Sequence, residues 1–154
     1  KIDILVNNAG TNIPEHFTKV QKKNMEYMVK LNTMATFHVA QLCTLKMLET
    51  KNRKKIGGSI INISGGGATS PRANFSAYAT AKTGLVRFSE TLSEEVKNFG
   101  IRVNCIGPGY IGEGMTERSC SDETIRKQRE SMMMIRALPA YTSVRRKKMP
   151  QAWL

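Results

Sequence analysis

The sequence predicts an α/β protein built on an open parallel sheet, and three observations carry that prediction. Three short apolar runs rich in β-branched residues, IDILV (2–6), SIINI (59–63) and IRVNCI (101–106), do not alternate cleanly, which is how strands buried on both faces read. Each interval between them holds apolar residues at steps of three and four, the period of a helix with a buried stripe. The segments after the runs, NNAG, SGGGATSPR and GPGYIGEG, concentrate the unusual residues. In open α/β sheets ligands bind beyond the carboxyl ends of the strands, so these segments are expected to form the site.

Taken in order, the first strand covers 2–6. A long helix over 24–50 follows, with Met28, Leu31, Ala35, Val39, Leu42 and Leu45 on its apolar stripe and Asn32 set among them. After the strand at 59–63, a second helix over 75–98 carries Ala81, Leu85, Phe88, Leu92 and Val96. The third strand closes a pattern of right-handed crossovers with helices on the sheet's faces. SMMMI (131–135) reads as an apolar helix face over the substrate side, and no internal repeat or long linker interrupts the chain.

At 154 residues, with 40% hydrophobic and 23% charged, the chain fits one soluble domain, and no apolar run is long enough for a membrane span. The start, KIDILVNNAG, lacks the features of a signal peptide, so a cytoplasmic location is expected. Cys43, Cys105 and Cys120 are odd in number and form no CxxC pair, which suggests neither a disulfide framework nor a metal site. The net charge of +12 is uneven, because residues 136–154 hold five Lys or Arg and no acid. The basic runs KNRKK (51–55) and RRKK (145–148) lack interleaved aromatics, and no recognised nucleic-acid module is visible. A small-molecule partner is therefore expected, and neither a nucleic acid nor a membrane.

Tyr78 and Lys82 lie four residues apart, hence on one face of the second helix. Exchanging a proton with an alcohol oxygen at neutral pH is hard for a free tyrosine, whose pKa is about 10. A neighbouring ammonium favours the phenolate and brings that value down. Each motif has a plainer reading: NNAG and Pro108–Gly109 as turns, Asn32 as a buried amide, Tyr78 and Lys82 as helix surface.

Together and in order, NNAG (7–10), Asn32, IINIS, Tyr78, Lys82 and NCIGPGYI resemble the short-chain dehydrogenase/reductase family over roughly residues 1–135. The resemblance implies a partial Rossmann-like, doubly wound parallel sheet with helices on both faces. It implies hydride transfer between NAD or NADP and a carbonyl or secondary alcohol. By that resemblance Tyr78 is the proton donor and acceptor, Lys82 also hydrogen-bonds the nicotinamide ribose, Ser64 orients the carbonyl and Asn32 holds a proton-relay water. Asn8, Ala9 and Gly10 would line the adenosine-ribose side, with Pro108, Gly109 and Ile111 passing the nicotinamide. A homo-oligomer, dimer or tetramer, paired through the two long helices, is implied for the full-length enzyme.

The chain departs from the family in four places. The family's serine stands 13 residues before the tyrosine, which is Gly65 here, while Ser64 stands 14 before. Either the loop carries one extra residue and Ser64 serves, or the carbonyl is oriented without a serine. Glu113 occupies the usual threonine position, where a carboxylate accepts but does not donate. The Gly-rich turn that receives a pyrophosphate, and the strands around it, are expected upstream of this sequence. Residues 136–154 have no apolar period and read as a frameshifted tail, leaving 1–135 as the catalytic part of one domain. The alternative reading is a truncated fragment without activity of its own.

Overall fold

The structure, a computed structural model, describes residues 1–51, 57–108 and 136–138. Strand β1 (Ile4–Asn7) leads through a 3₁₀ turn at Phe17–Lys19 to helix α1 (Lys22–Val29). A π turn at Lys30–Met34 joins α1 without a break to α2 (Ala35–Lys51). Strand β2 (Gly58–Ile63), a 3₁₀ turn at Gly66–Ala68 and helix α3 (Ser76–Val96) follow, then β3 (Ile101–Gly107) and the short β4 (Arg136–Leu138). The sheet order is β1-β2-β3-β4. The first three strands are parallel, with Leu5 opposite Ile60 and Ile60 opposite Val103.

Strand β4 pairs antiparallel with β3, placing Leu138 opposite Cys105. By its sequence, Arg136–Leu138 belongs to an atypical tail over 136–154. Three residues are too short for any periodicity to register, so the pairing could not be read from the pattern.

The π turn interrupts what the stripe predicted as one regular helix. Its physical cause lies in Asn32, whose Nδ2 donates to the carbonyl of Met28 at 3.0 Å and so competes for an acceptor of the helical ladder.

The helices do not divide between the two faces of the sheet. Residues in register on parallel strands share a face, so Leu5, Ile60 and Val103 point the same way. Against them pack Ala40 and Met47 from α2 and Leu92 and Val96 from α3. Three strands in sequential order, joined by two crossovers of one hand, place both helices on one side. The opposite face, with Ile4 at 65% and Val6 at 54% exposure, is bare among the described residues. The α/β architecture of a partial Rossmann fold stands, and the described helices α2 and α3 form one of its helical layers. Full burial of a side chain such as Leu85 or Ile60 contributes about 1.5–3 kcal/mol.

Candidate active site

At the carboxyl end of β2, the buried Lys82 reaches across from α3, and its Nζ donates to the carbonyl of Ile63 at 2.9 Å. Tyr78 lies one turn earlier on the same face of α3, with its ring centre 5.9 Å from Lys82 Nζ. The helix stays regular here because small residues surround the pair, including the buried Ala77 and Ala81.

Gly10, at the end of the NNAG segment after β1, completes one wall. A Cβ on Gly10 would come 3.2 Å from Lys82 Nζ and 2.8 Å from Asn32 Oδ1. Glycine thus lets the backbone pass within reach of the ammonium. Asn8 and Ala9, just before it, are exposed.

Asn32 is fully buried, and its amide is already engaged. Its Nδ2 donates to the carbonyls of Thr11 and Met28, and its Oδ1 accepts from the Thr11 N–H at 3.0 Å. The side chain clamps the segment after NNAG onto the π turn. Thr33, its neighbour, donates to the carbonyl of Ala81 at 2.9 Å and ties the π turn to α3 directly before Lys82.

Ser64 is buried, and its hydroxyl donates to the carbonyl of Lys82 at 3.2 Å. It is Gly65, not Ser64, whose α-carbon faces the tyrosine: a Cβ there would overlap Tyr78 Oη and stand 3.2 Å from Cζ. Gly67 flanks the same ring, where a Cβ would lie 3.0 Å from Cδ1. Pro108 is half-buried beyond β3. Gly109, Ile111, Glu113 and the SMMMI segment lie outside the described residues.

A polar row that the sequence reading did not single out runs beneath these groups. Asn7 Nδ2 donates to Asn62 Oδ1 at 2.8 Å, Asn62 Nδ2 to Ser89 Oγ at 2.9 Å, and Ser89 Oγ to the Leu85 carbonyl at 2.8 Å. Buried amides and hydroxyls hold their places only when so paired. The row links β1, β2 and α3. Its traces in the sequence are Asn7, which opens NNAG, and a polar Asn62 inside an apolar run.

The electrostatics differ from the expectation that Lys82 brings the tyrosine's pKa down. Burial pushes the Tyr78 phenol above its ordinary value, and the charge acting against that rise is Arg72. Lys82 has its ammonium bonded to Ile63, and burial lowers its own pKa. Cys105, at the matching position on β3, is a thiol that burial pushes up. The assembly can hold a proton on a half-buried phenol near a buried ammonium, next to a glycine-lined strip of backbone.

The family model described as short chain dehydrogenase matches residues 1–124. A nodulation protein G of Azospirillum brasilense is 37% identical over 114 residues, covering 74% of this chain and 44% of that protein. The 3-oxoacyl-[acyl-carrier-protein] reductase of Escherichia coli is 33% identical over 124 residues, covering 80% of this chain and 48% of its own length. A solved short-chain dehydrogenase from Streptomyces avermitilis superposes with a TM-score of 0.66 at 32% identity, over 72% of this chain and 40% of that one. The chain spans about half the length of the curated relatives it matches. With the family's ordered motifs gathered at the carboxyl ends of β1 and β2, this chain belongs to the short-chain dehydrogenase family.

Proposed function

We propose that this chain carries the proton-transfer half of an NAD- or NADP-dependent oxidoreductase acting on a carbonyl or secondary alcohol of a small molecule. The observation that supports it most is the convergence of Gly10, Asn32 and Lys82, with Tyr78 one helical turn away. The residues fit a nicotinamide nucleotide, since Gly10 leaves bare backbone within reach of the Lys82 ammonium where a side chain would block it. When bound, that cofactor supplies or accepts the hydride.

The chain's own residues do the rest. By the family resemblance, Asn8, Ala9 and Gly10 would hold the ribose side and Pro108 the carboxamide side, where Gly109 and Ile111, which lie outside the described residues, are also assigned. Lys82, whose Nζ is bonded to the Ile63 carbonyl, would exchange that bond for a ribose hydroxyl. Tyr78 gives a proton to the carbonyl oxygen during reduction and recovers it during oxidation. Asn32 acts as the clamp of the NNAG segment, with its amide committed to Thr11 and Met28. Ser64, whose hydroxyl donates to the Lys82 carbonyl, would exchange that bond to orient a substrate carbonyl. A cytoplasmic homo-oligomer, paired through the long helices, accords with the exposed Met34, Phe37, Leu42 and Leu45.

The test is nicotinamide-linked turnover on a panel of ketones and secondary alcohols, with Tyr78→Phe as control. Tyr78→Phe should lower turnover by about 10²–10⁴-fold and leave cofactor binding unchanged. Equal turnover in the variant would remove Tyr78 from the chemistry. The bare face at Ile4 and Val6 favours a second reading, in which this chain alone holds the pair without turning over. Absence of cofactor binding by the purified chain would select it.

A further inference from the structure

We propose that Arg72 is a second cation serving Tyr78: a loop guanidinium, stacked on the Phe75 ring that abuts Tyr78, that favours the phenolate left when the proton departs. The idea rests on the function proposed above for its meaning in turnover, but its physical content stands on the structure of the loop before α3.

The Arg72 guanidinium carbon lies 4.4 Å over the centre of the Phe75 ring. A guanidinium on an aromatic face is held by the ring's negative π-face and by stacking. Phe75 is itself fixed. It is 7% exposed, its N–H donates to the Arg72 carbonyl, and its ring meets Tyr78 edge-on at 6.3 Å and 78°. The stack Arg72–Phe75–Tyr78 therefore runs along the start of α3 as one unit. The loop is pinned from outside by the Glu15 N–H, which donates to the Asn74 carbonyl at 2.9 Å.

Among the described residues, the charged and titratable groups near Tyr78 and its loop are Lys82, Arg72, Cys105 and Glu15, whose N–H is bonded to Asn74 and whose Oε1 accepts from Asn24. From its own helix comes Lys82, whose ammonium is bonded to the Ile63 carbonyl and lies 5.9 Å from the ring centre. From the loop comes Arg72. The turn after β2 presents Gly65 and Gly67, which carry no charge. Cys105 on β3 stands on the Lys82 side, a thiol whose pKa burial raises. Burial of the phenol works against ionisation, and the charge opposing it is that of Arg72. In the proton transfer, the Tyr78 Oη–H bond breaks, an O–H bond forms on the alkoxide oxygen, and the electron pair stays on Oη. A cation held one ring away, on Phe75, lowers the cost of this step. Arg72 acts through Tyr78, as a positioning residue for its charge.

The test is an alkaline titration of tyrosinate absorbance on the full chain. The difference between wild type and Tyr78→Phe isolates Tyr78, and the same difference is measured in Arg72→Gln and Arg72→Lys backgrounds. Arg72→Gln should move half-ionisation of Tyr78 to a roughly threefold lower proton concentration, and Arg72→Lys should restore most of it. An unchanged midpoint in Arg72→Gln overturns the proposal. Should that variant fail to fold, the wild-type midpoint is followed with added salt. Screening a half-buried cation should raise it, and insensitivity overturns the proposal equally. Because the titration needs neither substrate nor cofactor, its result is independent of whether nicotinamide-linked turnover is found.

Discussion

Gly65 offers the sharpest test of the site's geometry, because the family pattern and the structure point in opposite directions. The family has a serine at this distance from the tyrosine, so Gly65→Ser looks like a restoration. The structure makes it an intrusion. A Cβ at 65 would overlap Tyr78 Oη and lie 3.2 Å from Cζ and 3.5 Å from Cε1. Ordinary contact between heavy atoms lies near 3.5 Å, so the phenol oxygen must retreat by roughly 1 Å. The backbone offers no objection, since Gly65 is extended at φ −178° and any residue adopts that conformation. The whole effect therefore falls on Tyr78. A displacement of about 1 Å costs on the order of 10²-fold in turnover, and overpacking costs about 1–3 kcal/mol of stability. Both Gly65→Ala and Gly65→Ser should lose nicotinamide-linked activity. Equilibrium unfolding supplies a reading that needs no substrate. In a Tyr78→Phe background the overlapping oxygen is gone, so the destabilisation by Gly65→Ala should shrink by about 1 kcal/mol or more. Equal destabilisation in both backgrounds, or a gain of activity in Gly65→Ser, would refute the reasoning.

Two further predictions follow from the groups beneath the site. Asn32→Leu keeps the branching and heavy-atom count but strands the Thr11 N–H and two carbonyls, so it should lower unfolding stability by about 2–4 kcal/mol, read as a fall in denaturant midpoint at constant slope. A change within about 0.5 kcal/mol would show that the clamp is idle. Lys82, lowered in the fold from its ordinary 10.5, predicts a pH dependence of definite sign. Between its folded pKa and 10.5 the unfolded chain binds more protons, so stability rises with pH through that window. Tyr78 and Cys105, both raised, act in the opposite sense, and Lys82→Met also removes a charge that lowers Cys105, which costs the variant further stability as pH rises and so adds to the same trend. Wild type should therefore gain on Lys82→Met as pH climbs toward 10.5, measured by denaturant unfolding at a series of pH values. A difference that is flat or falls with pH contradicts the assignment.

Much of the fold was legible because its signals are local. The three β-branched runs became β1, β2 and β3 to within two residues at each end, and the spacing of Leu85, Leu92 and Val96 placed the buried stripe of α3. The pairing of Tyr78 with Lys82 needed only the helical period. Asn32 and Ser64 were recognised as residues that matter, but the sequence could not say where their hydrogen bonds go. Thr33 and Ser89 carried no signal, since a hydroxyl in a helix looks the same whether it faces water or a carbonyl of another helix.

The order of the motifs along the chain was enough to determine the family, the α/β class and the helical face that carries the lysine and the tyrosine. These depend on residue type and spacing, which survive in any reading of the sequence. The side of the sheet on which the helices sit, the glycine facing the phenol, the engagement of Asn32 and Ser64, and the approach of Arg72 through Phe75 were decided by tertiary structure. Each depends on distances between residues remote in sequence or on the direction of a side chain across a turn. Local propensity leaves those free until packing fixes them.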